Sequence, residues 1–166
     1  MPELRIIPET RETIHAFFRA LVQDPALFAE GEAFVPYAYD AAAVDARFDA
    51  LQKRTDKLSF AIVADGAVVG NLEVKHIDEA AKCCELGICL ANDGVKNRGY
   101  GTQALRLALR LCFGKLGMAR VTARCLRTNT RSLHVLEKLG FRPTGGDERF
   151  CRYTFEREDY GERETI

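Results

Sequence analysis

The residues best suited to chemistry lie at Lys96-Asn97-Arg98-Gly99-Tyr100-Gly101-Thr102. This stretch follows an apolar, strand-like segment, Glu85–Leu90, and a polar loop, and it precedes a long amphipathic run. A glycine-containing turn between a strand and a helix can aim several backbone N–H groups at one anion, and the positive end of the helix dipole points the same way. Glycine at 99 and 101 lets the backbone approach a ligand closely. The turn therefore reads as a phosphate cradle. It is not a Walker loop, which requires G-x-x-x-x-G-K-[ST]. Gly99-Tyr100-Gly101-Thr102-Gln103-Ala104 does match the G-x-G-x-x-A of dinucleotide folds. Three features oppose that ligand. The loop from Ala91 to Arg98 is too long for the tight first turn, the segment around Arg120–Arg124 offers no carboxylate for a ribose, and there is a single β-α-β unit.

Glu85 is the second candidate. Strand alternation puts Glu85, Gly87 and Cys89 on one face and Leu86, Ile88 and Leu90 on the other. A carboxylate flanked by apolar residues can have a raised pKa suited to taking a proton, and a salt-bridged strand-edge glutamate fits the same pattern. Glu73, on the preceding strand-like segment, is the reserve. The cysteines Cys83, Cys84, Cys89, Cys112, Cys125 and Cys151 form no C-x-x-C pair and sit mostly in apolar segments. They read as buried, reduced thiols, Cys89 among them as a packing residue. His15, His76 and His134 are scattered without ligand spacing, so no metal is expected.

These residues need a scaffold, and 166 residues with 47% hydrophobic content suit one domain, 1–166, with a sizeable core. Lys+Arg and Asp+Glu number 24 each, which argues against nucleic acid or an anionic membrane as partner. The first residues lack a basic region followed by an apolar one, and no apolar run could cross a bilayer. A soluble cytoplasmic protein is the expectation, with a homodimer left open.

The positioning elements follow from local pattern. Leu4–Ile7 reads as a strand. Thr10 can cap a helix bearing Ile14, Phe17, Phe18, Leu21 and Val22 at helical spacing, stopped by Asp24-Pro25. No glutamate completes a capping box. Residues 24–50 are broken by Pro25, Gly31 and Pro36 and carry Asp24, Glu30, Glu32, Asp40, Asp45 and Asp49 against Arg47. They read either as a solvated helical hairpin or as an acidic, aromatic-lined lip that attracts a cation. Phe60–Ala64, the turn Asp65-Gly66, Val68–Lys75, a turn at Asp78–Lys82 and Cys83–Leu90 make a three-strand meander. A helix from the cradle to Gly117, a strand at Val121–Cys125, a helix opened by Thr128-Asn129 and closed by Gly140, and strands at Phe141 and Phe150–Phe155 complete the chain. Glu156–Ile166 is charged and expected to fray. The order β-α-α-β-β-β-α-β-α-β-β predicts an α+β fold, a mixed sheet with helices on its faces.

Three blocks in this order resemble the GCN5-related N-acetyltransferase (GNAT) superfamily. Lys96–Gly101 is similar to its acetyl-CoA signature, [R/Q]-x-x-G-x-[G/A]. Asn129–Phe141 is similar to a second block, in which an Asn opens a helix that ends in Gly-Phe, and Glu85-Leu86-Gly87-Ile88 to the fourth strand. The resemblance spans residues 85–141. Within it, Ser132–Phe141 looks most like the branch that acetylates ribosomal-protein N-termini (Rim-type). Two departures stand out. Lys96 replaces the usual Arg or Gln, and Leu136 stands where a general-acid tyrosine often lies.

The resemblance implies a GNAT fold and an acetyl-CoA-dependent N-acetyltransferase whose acceptor is a primary amine, a peptide N-terminus or a small cationic molecule. It implies that backbone N–H groups of Lys96, Asn97, Arg98, Gly99, Tyr100 and Gly101, with Thr102, hold the CoA pyrophosphate. Arg98, Lys96 or Arg131 would meet the 3′-phosphate, and Ile88, Cys89 and Leu90 would offer backbone to the pantetheine arm and the thioester carbonyl. Asn129 would bond the arm or simply cap its helix. Glu85 would serve as base, Ser132 would protonate the leaving thiolate, and the 145–152 turn with Asp147, Glu148 and Arg149 would shape the acceptor site. The rival reading is an acyl-CoA sensor of the same fold without turnover.

Overall fold

The computed structural model describes residues 3–25 and 34–163. In chain order the elements are β1 (Leu4–Pro8), α1 (Arg11–Ala20), α2 (Ala41–Gln52), β2 (Leu58–Ala64), β3 (Ala67–Asp78), β4 (Cys83–Leu90), α3 (Tyr100–Arg110), β5 (Arg120–Leu126), α4 (Thr130–Leu139), β6 (Arg142–Gly146), β7 (Phe150–Glu156) and α5 (Arg157–Arg163). A 3-10 turn, Asp93–Val95, precedes α3, and a π turn, Leu111–Lys115, extends it. One seven-stranded sheet runs in the order β1-β2-β3-β4-β5-β7-β6. All neighbours are antiparallel except β4 and β5, which α3 joins as a parallel crossover. This is the expected mixed sheet with helices on its faces.

The predicted meander forms because Asp65 and Gly66 both take left-handed φ, 51° and 79°, as a two-residue hairpin requires. Its register sorts side chains by face. Ser59, Glu73 and Gly87 lie opposite one another across β2, β3 and β4, as do Ala61, Asn71 and Cys89. Leu72, Val74 and Leu86 point the other way, fully buried against Ala104, Leu105, Ala108 and Leu109 of α3. Leu136 and Leu139 of α4 join the same core. The polar face of the meander is roofed by α1 and α2, and the site lies there.

Three local expectations change. The α1 capping box exists, but Thr13 replaces the missing glutamate: its hydroxyl accepts from Thr10 N–H at 2.8 Å while Thr10 Oγ1 accepts from Thr13 N–H at 3.1 Å. That helix stops at Ala20 rather than at Asp24-Pro25. Asn92 Nδ2 takes the Ala20 carbonyl at 3.0 Å and Val22 N–H donates to Ala91 O at 2.8 Å, so the chain leaves α1 extended and ties to the end of β4. The C-terminal run does not fray from Glu156. It forms α5, because Tyr160 packs 4.8 Å from Phe113 and the Arg157 guanidinium donates to Met118 O at 3.1 Å. Of the acids expected at the lip, Glu30 and Glu32 lie outside the described residues.

Candidate active site

The site begins with a gap in the sheet. β4 has eight residues, but only Cys83–Leu86 pair with β5, opposite Arg120–Ala123. Beyond Leu86, β4 stays paired to β3 while β5 follows β7. Among the described residues no strand covers the other side of Gly87–Leu90. Two parallel strands that part in this way leave backbone N–H and C=O groups facing a slot, an edge that an extended ligand can join as an added strand.

The chain then turns into the cradle. Asn92 caps the 3-10 turn, its side chain accepting from Gly94 N–H at 3.0 Å. Asn97 and Gly99 take φ of 61° and 78°, and such alternation turns successive N–H groups inward as an anion nest. In α3 the first N–H bonded back into the helix is that of Gln103, to Gly99 O at 3.1 Å. The N–H groups of Tyr100, Gly101 and Thr102 stand before it at the open N-terminal end, and Gly99 supplies no side-chain cap. Two further features point to a ligand. A Cβ on Gly101 would meet nothing within 4 Å, and its φ is not left-handed, so the fold itself does not require glycine there. Gln103 Nε2 is buried without a hydrogen-bond partner, 3.8 Å from where a Gly99 Cβ would sit. Open N–H groups, a close approach at glycine and an orphaned amide donor suit phosphate oxygens.

Some predicted cradle residues sit differently. Lys96 lies outside the nest, because its N–H donates to Asp93 O at 3.2 Å and its ammonium lies 3.0 Å from the same residue's carboxylate. The Tyr100 ring is buried in the core, which leaves only its backbone for a ligand. Asn97, Arg98 and Gly99 are exposed, and Thr102 is half-buried. Arg131 is exposed at the start of α4. Asn129 caps that helix, its Oδ1 accepting from Ser132 N–H at 3.2 Å. The Ser132 hydroxyl lies beside the thiol of Cys125, which burial pushes up. Neither Asn129 nor Ser132 lines the cavity described next. Leu136 is buried in the core.

A cavity of about 510 Å³ opens on the other side of β4, between its Gly87–Cys89 backbone and the roof of α1 and α2. Ile14, Phe17, Phe18, Leu21 and Leu51 form the apolar wall, and Asn71, Glu73 and Lys75 project from β3. Glu73 Oε1 lies 2.8 Å from Lys57 Nζ and 3.6 Å from Arg47 Nη2. Glu85 lies against two basic side chains. Its Oε2 lies 3.6 Å from Lys75 Nζ and 3.7 Å from His76 Nε2, and it does not line the cavity. Cys89 is exposed on the cavity wall rather than packed, which corrects its expected role. Although its surface is open, the walls remove enough water to push its thiol up; Glu73 adds to this and Lys96 opposes it. A thiol shifted that way is a poor nucleophile. The turn around Asp147 does not shape the cavity. Its carboxylate accepts from the N–H groups of Phe150 and Arg149 at 2.8 and 2.9 Å, which hold it below the usual range.

Sequence reasoning missed Glu9. It follows β1 and accepts from Asn71 Nδ2 at 2.6 Å, Thr13 Oγ1 at 2.6 Å and Ser59 Oγ at 3.3 Å. Burial pushes its carboxyl up, the hydrogen bonds oppose this, and Glu73 adds a smaller push. Asn71 and Ser59 both line the cavity, so Glu9 braces its floor from behind. The signal was the alternation of Asn71, Glu73 and Lys75 with buried Leu72 and Val74, a polar face that has to meet something.

The acetyltransferase (GNAT) domain, as a family, matches residues 3–142. No curated protein matches the chain. Among solved structures, the spermidine N-acetyltransferase of Vibrio cholerae in complex with CoA and spermine superposes with a TM-score of 0.79 at 14% identity, covering 95% of this chain and 97% of that one. A chimera of Vibrio cholerae SpeG with hSSAT gives 0.78 at 15% identity, covering 96% and 99%. The dodecameric form of the Vibrio cholerae enzyme gives 0.74 at 15%, covering 98% and 97%. At these identities the likeness is one of fold.

Proposed function

Because the chain belongs to the acetyltransferase (GNAT) domain family, we propose that it transfers the acetyl group of acetyl-CoA to a primary amine by direct attack in a ternary complex. One observation carries this reading: the splayed end of β4 leads through the 3-10 turn into the phosphate cradle, and its Gly87–Cys89 stretch forms one wall of the cavity. A pyrophosphate in the cradle and an arm along the slot would deliver a thioester to Gly87–Cys89, where the cavity presents an acceptor.

Acetyl-CoA, as co-substrate, supplies an activated thioester carbonyl. The nest from Asn97 to Gly101, with Thr102 and Gln103 Nε2, holds its phosphates, and exposed Arg98 or Arg131 meets the 3′-phosphate. Backbone at Ile88 and Leu90, without a strand partner on the slot side, aligns the arm and donates an N–H to the carbonyl oxygen, whereas the Cys89 backbone between them is taken up by Asn71 of β3. The acceptor ammonium loses a proton before attack. The cavity carboxylate Glu73 takes it, directly or through water, in the role first given to Glu85. The new C–N bond replaces the C–S bond, and CoA leaves as the thiol with one proton. With Leu136 in the core, Ser132 is the hydroxyl on α4 proposed to return that proton. The acceptor is a small molecule or a peptide α-amino group, the latter following the Rim-type wording of Ser132–Phe141. Six free cysteines favour a reducing compartment such as the cytoplasm.

The test is thermal melting with acetyl-CoA, free CoA, NAD or ATP, followed by thiol release with a panel of amines. A ligand at ~100 times its dissociation constant stabilises by roughly 2.7 kcal/mol, a shift of several degrees. The expected result is a shift with acetyl-CoA and CoA only, and thiol release that depends on an amine. A shift with NAD would overturn the cradle assignment. Binding of CoA with no amine-dependent release would leave an acyl-CoA sensor.

A further inference from the structure

The charges around the cavity do not match a polyammonium acceptor. Its wall carries four cations, Arg47, Arg54, Lys57 and Lys75, and one carboxylate, Glu73. Arg54 is closed on Asp56 through two hydrogen bonds, at 2.7 and 3.0 Å. Lys75 leans toward Glu85 at 3.6 Å. Lys57 holds Glu73 Oε1 at 2.8 Å. Among the described residues Arg47 reaches only that same oxygen, at 3.6 Å, and its guanidinium lies 5.3 Å over the ring of Phe18. One carboxylate oxygen thus faces two cations. Glu9, behind the wall, already accepts from Thr13, Asn71 and Ser59.

Of the acids expected at the lip, the described ones do not change this. Asp45 and Asp49 turn to Arg11, at 2.7 and 2.6 Å, with His15 also on Asp45 at 2.8 Å. Asp40 caps α2, accepting from Ala42 and Ala43 N–H at 3.0 and 3.2 Å. Among the described residues none of these three lines the cavity. A substrate with several ammonium groups would find Glu73 for one of them and guanidinium or lysine for the rest.

We propose that the acceptor is an amine bearing an anionic group, carboxylate or phosphate, on an apolar body, and that Arg47 is the specificity-determining contact for that group. The inference rests on the acetyltransferase reading and narrows its substrate class. Arg47, Ala50 and Leu51 share the cavity face of α2 at helical spacing, so Arg47 enters the cavity from the roof. Phe18 holds the guanidinium plane, and a planar fork matches a carboxylate or phosphate with two parallel hydrogen bonds. The apolar body lies along Ile14, Phe17 and Leu21, and the amine lies near Glu73 and the Gly87–Cys89 backbone where the acetyl group arrives.

The experiment is thiol release at saturating acetyl-CoA with matched acceptors. Phenylalanine is set against 2-phenylethylamine, O-phosphoethanolamine against ethanolamine, and spermidine stands as the polyamine. At least one anionic member should exceed its partner by about ten-fold or more in kcat/KM, the worth of one charge-assisted pair, and spermidine should be poorest. The pair that responds identifies the anion as carboxylate or phosphate. Arg47→Gln should bring that pair within about two-fold of each other by raising KM with kcat kept, and Arg47→Lys should restore part of the preference. The Arg47 side chain is 58% exposed, so these variants keep the fold, and an unchanged CoA-induced melting shift verifies it. Preference for spermidine or the uncharged partners, or an Arg47→Gln variant with the ratio intact, would overturn the inference alone. Failure of every amine, or no CoA shift, would overturn the acetyltransferase reading and the inference with it.

Discussion

One side of β4 presents backbone, and the other a cavity lined by side chains. The cradle and slot need N–H groups held in a nest and a strand left unpaired; the residues that achieve this, Gly99, Gly101 and the β4–β5 parting, are contiguous or nearly so. The cavity is built from Glu73, Lys57, Arg47 and Asn71, brought together from two elements and a turn. A backbone site constrains a short run of residues, because only certain φ values and small side chains serve it. A side-chain site constrains only what converges in space. The two halves of the proposed reaction should therefore differ in how they can be disturbed: the first by steric filling, the second by loss of charge.

The largest effect expected from separating them is Gly101→Val. The fold leaves open space around a Cβ at this position, and glycine is the weaker helix former, so the free protein should melt at or slightly above the parent temperature. The CoA-induced shift should disappear, with affinity down by about two orders of magnitude, since several charge-assisted hydrogen bonds worth roughly 1.5–3 kcal/mol each are lost. Gly99→Val is the contrast. At φ 78° it strains the backbone by about 1–2 kcal/mol and should lower the melting temperature even without CoA. Equal destabilisation by both would mean that the cradle is an ordinary helix start.

On the side-chain half, Glu73→Gln should lower kcat by about 100-fold or more, the usual worth of a general base, and leave the CoA shift intact. Glu85→Gln should change kcat by less than about three-fold, because its carboxylate faces Lys75 and His76 instead of the cavity. Steady-state kinetics on the two variants decides between them. The reverse order would move the base back to the strand position first expected for it.

The same contrast explains what could be read in advance. The meander, the α3 crossover and the α4 Gly140 stop were legible because local chemistry dictates each: Asp65-Gly66 for a two-residue turn, and left-handed Gly140 at φ 114° for a helix end. The cradle was legible for the same reason. Lys96 was misplaced within it because its capture by Asp93 depends on the 3-10 turn, which no local signal announced. The acceptor side was not legible. An acidic run at 40–49 looked like an attraction for cations, yet Arg11 and His15, some thirty residues earlier in the chain, draw Asp45 and Asp49 away from the cavity. Glu85 and Glu73 share a face of the sheet, and their different surroundings come from Lys57 and Arg47 reaching one while Lys75 and His76 hold the other.

The smallest effect concerns the floor of the cavity, and pH reveals it. Glu9 has a folded pKa raised above the ordinary 4.5, chiefly by burial. The folded state therefore binds its proton more tightly than the unfolded state. Stability associated with that proton is fully present below the unfolded value and is lost as pH rises through the folded one. Glu9→Gln keeps an acceptor oxygen toward Asn71 and Ser59, and its amide can donate to the Thr13 hydroxyl, which turns to bond Thr10 O, already 3.1 Å away. The variant should thus match the parent below about pH 4.5 and become relatively more stable as pH rises toward neutrality. Melting curves from pH 4 to 8 would measure the difference. A variant that loses stability uniformly at every pH would mean that the carboxylate is worth more as a triple acceptor than its burial costs. The floor of the cavity would then owe its shape to an ionised Glu9, a half-buried carboxylate close to Glu73.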